Sequence, residues 1–273
     1  MLKKRILTAV ILIPIFVALV ITLPAPMFAL LTAMLMMVGA WEWSLLMGLK
    51  KRSHRWCYLF FIFILLNTLF MSKVSTLFIP NVLCATFFWW VFATILIVIY
   101  PKISFIWGRG IFFRGLMGCI VLIPTWIAVN FIRSNFGVWS LLFLFVLIWG
   151  ADSGAYFAGK KWGKNKLAPK VSPGKTRQGL YGALATTTVI VGGVLYLIPS
   201  PSRMWPAILM LSFATVIFSV VGDLFESMLK RNAGVKDSGT LIPGHGGLLD
   251  RIDSLTAAAP VFALGSWLIA KMT

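Results

Sequence analysis

The chain has 273 residues, of which 60% are hydrophobic and only 12% charged. A soluble domain carries about 45–50% apolar and about 25% charged residues, so this surface cannot face water throughout. A soluble globular protein, a disordered chain and a disulfide scaffold are excluded. The net charge of +18 calls for an anionic partner, nucleic acid or a membrane face. The apolar content decides for membrane lipids and against nucleic acid. Cys57, Cys84 and Cys119 lie far apart with no metal-ligand spacing and read as apolar thiols.

Charged residues punctuate the chain at membrane-length intervals. A spanning helix needs about 20 mostly apolar residues. Spans are predicted at 6–23, 27–48, 56–72, 80–100, 115–132, 136–151, 180–198, 205–222 and 255–270, about nine helices in all. The fold class is therefore all-α, a polytopic integral membrane protein. The first span follows Lys3-Lys4-Arg5 but is longer than a signal-peptide core and lacks a clean cleavage site, so it reads as a retained anchor. Pro14 should kink it. With the N-terminus in the cytoplasm, 21 of the 25 Lys and Arg residues fall on the inner side. The positive-inside rule supports that orientation, which leaves the C-terminus outside.

No internal repeat and no separate soluble domain is visible. The chain reads as one membrane domain, 1–273. Helices of about 1–135 would be a scaffold, and about 136–273 would carry two long cytoplasmic loops, 152–179 and 223–254.

Of seven acidic residues, five lie within 223–253. Ionisable groups at membrane depth cost about 2.5–3.5 kcal/mol each, so their presence needs a reason. Asp223 and Glu226 are spaced i, i+3 and share a helix face with Lys230. Asp250 and Asp253 repeat the spacing at the mouth of the ninth span. Three readings remain open from spacing alone: a salt-bridge knot between helix ends, a Mg²⁺ site shared with substrate phosphates, or ion coupling in a transporter. Gly239, Gly244, Gly246 and Gly247 surround Pro243 and His245, and such a loop lets backbone N–H groups approach an anion. Lys230, Arg231, Lys236 and Arg251 add cations. Carboxylates interleaved with cations and a glycine turn suit a triphosphate. With two histidines in the chain, a His-based zinc site is not expected. Gly174-Lys175-Thr176 resembles the tail of a P-loop, but Pro169 stands where its first glycine belongs. The basic run Lys160 to Lys170 reads as a patch facing anionic lipid.

Ser227-Met-Leu-Lys-Arg231, Lys236-Asp237-Ser-Gly239, Ile242-Pro-Gly-His-Gly-Gly-Leu248 and Asp250-Arg-Ile-Asp253 together resemble the signature of the phosphatidate cytidylyltransferase (CDP-diacylglycerol synthase) family, ungapped across 27 residues. Gly222-Asp223-Leu-Phe-Glu226, Asp152-Ser-Gly-Ala-Tyr156 and Lys166 to Thr176 are similar to its bacterial members. The likeness runs the full length, including Trp41-Glu42-Trp43. After Lys175-Thr176 the family usually has tryptophan; here Arg177 stands, so no stacking role is carried to that position.

The resemblance implies transfer of CMP from CTP to phosphatidic acid, giving CDP-diacylglycerol and pyrophosphate in phospholipid biosynthesis. It implies a homodimer in the bacterial inner membrane with its site open to the cytoplasm. Asp223 and Asp250 would hold Mg²⁺, with Glu226 and Asp253 as further ligands or support and room for a second cation. Asp223, Asp250 and Lys230 form the expected catalytic set. Lys175, Thr176, Ser172, Arg231, Lys236, His245, Arg251 and Asp152 form the expected substrate-binding set. The alternative from another class is an ion-coupled membrane transporter of an anionic lipid or metabolite.

Overall fold

The computed structural model describes residues 13–72, 78–102, 104, 110–198, 201–239, 241 and 246–272. Eight α-helices lie among them. They are α1 (Ile13–Thr22), α2 (Ala25–Leu46), α3 (Arg52–Met71), α4 (Phe78–Ile99), α5 (Ile111–Trp162), α6 (Arg177–Leu197), α7 (Trp205–Asn232) and α8 (Leu249–Met272). Seven of these, α2 to α8, are long and apolar enough to cross a membrane. The protein is an all-α polytopic membrane protein.

The expected spans 115–132 and 136–151 lie in one run of 52 residues, α5, in which two helices meet at a break. Unbroken, it would measure about 78 Å at about 1.5 Å per residue, far more than a bilayer core of about 30 Å. Gly137 interrupts it, with φ 84° and ψ 171°, a conformation that only glycine adopts cheaply. Each half keeps enough residues to cross alone. The first half lies along α2, where Trp126 Nε1 donates to the Ala29 carbonyl (2.9 Å) and Arg114 Nη1 to that of Leu46 (3.1 Å). The second half packs on α6 through small residues. Gly154 lies against Thr186 and the Gly182 carbonyl, and Gly159 lies against Thr176 and Gly179. Small residues permit such close backbone approach where hydrophobicity cannot drive helices together.

Two apolar clusters make the interior. One joins Trp43, Ile62, Trp90, Leu122, Phe225 and Met228; the other joins Phe28, Leu83, Ile132, Leu144, Val216 and Phe262. Large apolar side chains on α3 and α4, such as Phe60, Phe63, Phe88 and Ile95, remain exposed and suit contact with lipid. Hydroxyls within the spans donate to the carbonyl one turn back, as Thr125 does to Val121 and Thr215 to Leu211. Their polarity is thereby met inside the bundle.

The expected loops are shorter than the sequence suggests. Residues 152–162 continue α5, and 223–232 continue α7. Between α5 and α6 stands an antiparallel hairpin, β1 (Lys166–Ala168) with β2 (Ser172–Thr176), pairing Lys166 with Thr176 and Ala168 with Ser172. The first seven residues of the predicted anchor lie outside the described residues.

Candidate functional site

The site forms where the ends of α7 and α8 meet the hairpin and α2. Asp223 and Glu226 lie one turn apart on α7, and Lys230 follows a turn later. The helix closes at Gly234 (φ +73°), where the Val235 N–H returns to the Lys230 carbonyl at 2.9 Å. Packing between α7 and α8 is tight. Any side chain at Gly222 would collide with the Asp253 carbonyl.

Two ion-pair groups result. Near the hairpin, Lys175 Nζ lies 2.6 Å from Asp223 Oδ2, and Ser227 donates to the other Asp223 oxygen at 3.3 Å. Deeper, Lys230 is buried between Asp250 (2.6 Å) and Glu226 (3.1 Å). Asp250 also accepts from the N–H groups of Ser238 (3.0 Å) and Gly247 (2.8 Å). Its place in the first turn of α8 suits the positive end of the helix dipole. Glu226 is buried, and neither of its oxygens accepts a well-aligned hydrogen bond. Asp253 Oδ1 accepts from the adjacent Ser254 N–H.

The four carboxylates meet as two lysine-centred groups, Lys175 with Asp223 and Lys230 with Glu226 and Asp250, and Asp253 lies within electrostatic reach of both. Among the described residues no three acidic, histidine or cysteine side chains gather as a metal-holding group. The donor set is nonetheless all oxygen, and Glu226 Oε2, the oxygen not paired with Lys230, leaves ligation capacity there. That fits Mg²⁺, which is commonly held by one or two carboxylates and substrate phosphates rather than by a protein cage.

The remaining predicted residues divide. Asp152 is exposed on α5 and lies within electrostatic reach of Lys175 and Asp223. Thr176 lines the same cavity as Lys175, but its hydroxyl caps α6 by accepting from the Gly179 N–H (3.0 Å). Ser172 opens β2 and is half-buried. Arg231 reaches the Val171 carbonyl at the hairpin (3.4 Å), while Lys236 and Arg251 are exposed. His245 lies outside the described residues.

The sequence reading missed Glu42. It sits in α2, buried, and accepts from Ser238 Oγ (3.1 Å) and the N–H groups of Leu248 (2.9 Å) and Leu249 (2.7 Å). An acid inside an apolar run is the signal that could have found it. Gly239 and Gly247, expected to cradle a ligand anion, lie instead against this carboxylate.

Two cavities flank the hairpin. One, of about 380 Å³, is lined by Asp152, Tyr156, Lys160, Lys175 and Thr176. The other, of about 650 Å³, is mainly apolar, with Ile97, Val98, Ile217 and Leu224 in its walls and Lys102 and Lys170 also lining it. Leu167, Leu180 and Val220 line both.

Fold and site together define an integral membrane protein with an ionic centre where its helices end. Residues 3–268 match the model of the cytidylyltransferase family. The chain is 42% identical over 272 residues to the phosphatidate cytidylyltransferase of Pseudomonas aeruginosa, covering 98% of this chain and 97% of the relative. It is 40% identical over 281 residues to that of Haemophilus influenzae, covering 96% and 98%. The Brucella suis enzyme of the same name matches at 39% over 161 residues, 58% of this chain and 55% of the relative. The chain belongs to the cytidylyltransferase family and is a nucleotidyltransferase.

Proposed function

We propose that this protein transfers CMP from CTP to phosphatidic acid, releasing pyrophosphate and forming CDP-diacylglycerol. The observation that carries this reading is the pair of adjoining cavities. A charged one containing Lys175 and Asp152 shares a wall with a larger apolar one. A lipid phosphate needs both environments at once.

In the reaction, a phosphate oxygen of phosphatidate attacks the α-phosphorus of CTP. The bond from that phosphorus to the bridging oxygen breaks, and pyrophosphate carries away the electron pair. The nucleophile is already anionic, since a phosphate monoester has a second pKa of about 6. The obstacle is repulsion between phosphates, so the protein's part is positioning and charge neutralisation. Lys175 presents its ammonium group to the charged cavity, and an arriving phosphate competes with Asp223 for it. Lys230 keeps Asp250 and Glu226 oriented. Asp223 and Asp250 would hold Mg²⁺, with Glu226 and Asp253 in support. The ion, when bound, supplies further neutralisation of phosphate charge. Lys236, Arg231 and Arg251 extend the cationic surface around the mouth.

The positive-inside count supports a cytoplasmic site in the bacterial inner membrane. The homodimer rests on the family resemblance.

The test supplies labelled CTP, phosphatidate and Mg²⁺ to the purified protein in detergent. Label should enter the lipid phase and be lost with EDTA. Asp250→Asn should lower turnover about 10²-fold or more while the protein stays folded. His245→Ala should cost less. Absence of lipid label from folded protein, with lipid moved across vesicles instead, would favour the transporter reading.

A further inference from the structure

The geometry points to Glu42 as a positioning residue, an internal anion that holds Ser238 and the start of α8 and through them the Asp250 carboxylate. The inference rests on the cytidylyltransferase reading given above, in which Asp250 is part of the catalytic machinery. Glu42 belongs to α2, nearly two hundred residues away in sequence, and its side chain is 3% exposed. Its two oxygens take three hydrogen bonds, all from one short stretch of chain: Ser238 Oγ, Leu248 N and Leu249 N. The last two N–H groups belong to the start of α8, where backbone donors lack partners within the helix. A carboxylate there meets both the free donors and the helix dipole.

The residues that contact Glu42 are also the ones that hold Asp250. Ser238 gives its hydroxyl to Glu42 and its backbone N–H to Asp250. Gly247, whose N–H donates to Asp250, lies so close that a side chain there would strike both Ser238 and Glu42. Gly239 faces Glu42 in the same way, its added Cβ falling 2.6 Å from Oε1. These two glycines are therefore required by the protein's own anion. The site on Asp250 is assembled from outside, with Glu42 on α2 fixing Ser238 and residues 247–249, these fixing Asp250, and Asp250 with Glu226 fixing Lys230.

The test uses the full chain in detergent, comparing wild type with Glu42→Gln. The glutamine keeps the shape but turns an amide N–H₂ toward donors. Turnover number, KM for CTP and phosphatidate, and hydrogen exchange of the segment 246–252 are measured together. Expected are a fall in kcat of about 10- to 100-fold, both KM values within about twofold, and faster exchange confined to that segment. Ser238→Ala, which removes one of the three bonds and leaves the Asp250 contact, should shift both readouts in the same direction by less. It also serves if Glu42→Gln fails to fold. An unchanged kcat, or a loss of kcat with unchanged exchange at 246–252, overturns the proposal. So does exchange that rises equally across α2 and α5, which would mean a purely structural role. A wild type without cytidylyl transfer would sink the functional reading instead, and the exchange comparison would still decide whether Glu42 holds the start of α8.

Discussion

The molecule holds two lysine–carboxylate groups within one site, and they differ in depth. Side chains of the Lys175–Asp223 pair are 27% and 29% exposed, whereas those of Lys230, Glu226 and Asp250 are 9%, 4% and 8%. The outer pair has two members and faces a cavity. The inner one has a single cation for two acids and is nearly closed to solvent. Partly exposed ion pairs contribute about 0–1 kcal/mol, so the outer one can open to a ligand at little cost. Removing one partner from a buried group costs about 3–5 kcal/mol, because a charge is left without compensation. The same chemistry thus serves as an exchangeable contact in one place and as a fixed frame in the other.

The strongest way to break this comparison is Lys230→Met. It should lower stability by about 3–5 kcal/mol, read as thermal or denaturant unfolding in detergent. A variant as stable as wild type would mean the inner group is not a frame. The next is Lys175→Met. Stability should change by no more than about 1 kcal/mol. Loss of a charge-assisted phosphate contact of about 1.5–3 kcal/mol should lower kcat/KM for lipid labelling about 10- to 100-fold. Unchanged kinetics would remove Lys175 from the substrate contacts. The smallest effect sharpens the role of its neighbour. Thr176→Ala should cost about 1 kcal/mol of stability through the lost cap on α6, and Thr176→Ser should restore most of it. A kinetic defect in the serine variant, stability being equal, would show the threonine doing more than capping.

Much of the bundle is legible in the charge spacing, since each apolar run between cations has room for one crossing. The break within α5 is legible too, since polar residues at 133–135 part the expected spans 115–132 and 136–151, and the chain turns at Gly137, two residues past Asn135. The hairpin is invisible to periodicity. Its strands are three and five residues long, carry Pro173 and Gly174, and alternate no apolar face. In the site, the i, i+3 spacing correctly puts Asp223 and Glu226 on neighbouring turns of one helix. It cannot tell whether a lysine two turns away points at solvent or back into the acids, because that depends on where α8 crosses. The sequence groups Lys230 with the cations that would neutralise phosphates and with the catalytic carboxylates; only the packing shows it buried between Glu226 and Asp250 as their counter-ion. Glu42 escaped for the related reason that its partners are brought to it only by the packing of α2 on the start of α8.

The hairpin between α5 and α6 is fastened at three points. The Arg177 N–H donates to the Asn165 carbonyl, the Gln178 side chain accepts from the N–H groups of Lys164 and Asn165, and Val171 at the tip is buried in the apolar cluster. Its length is consequently part of its information. The strand register already shifts between the Lys166–Thr176 and Ala168–Ser172 pairs, so the hairpin holds its irregularity on the side that carries Lys175. Descendants of this sequence can vary the composition of the hairpin widely, but a change of length that re-aims Lys175 would part it from Asp223.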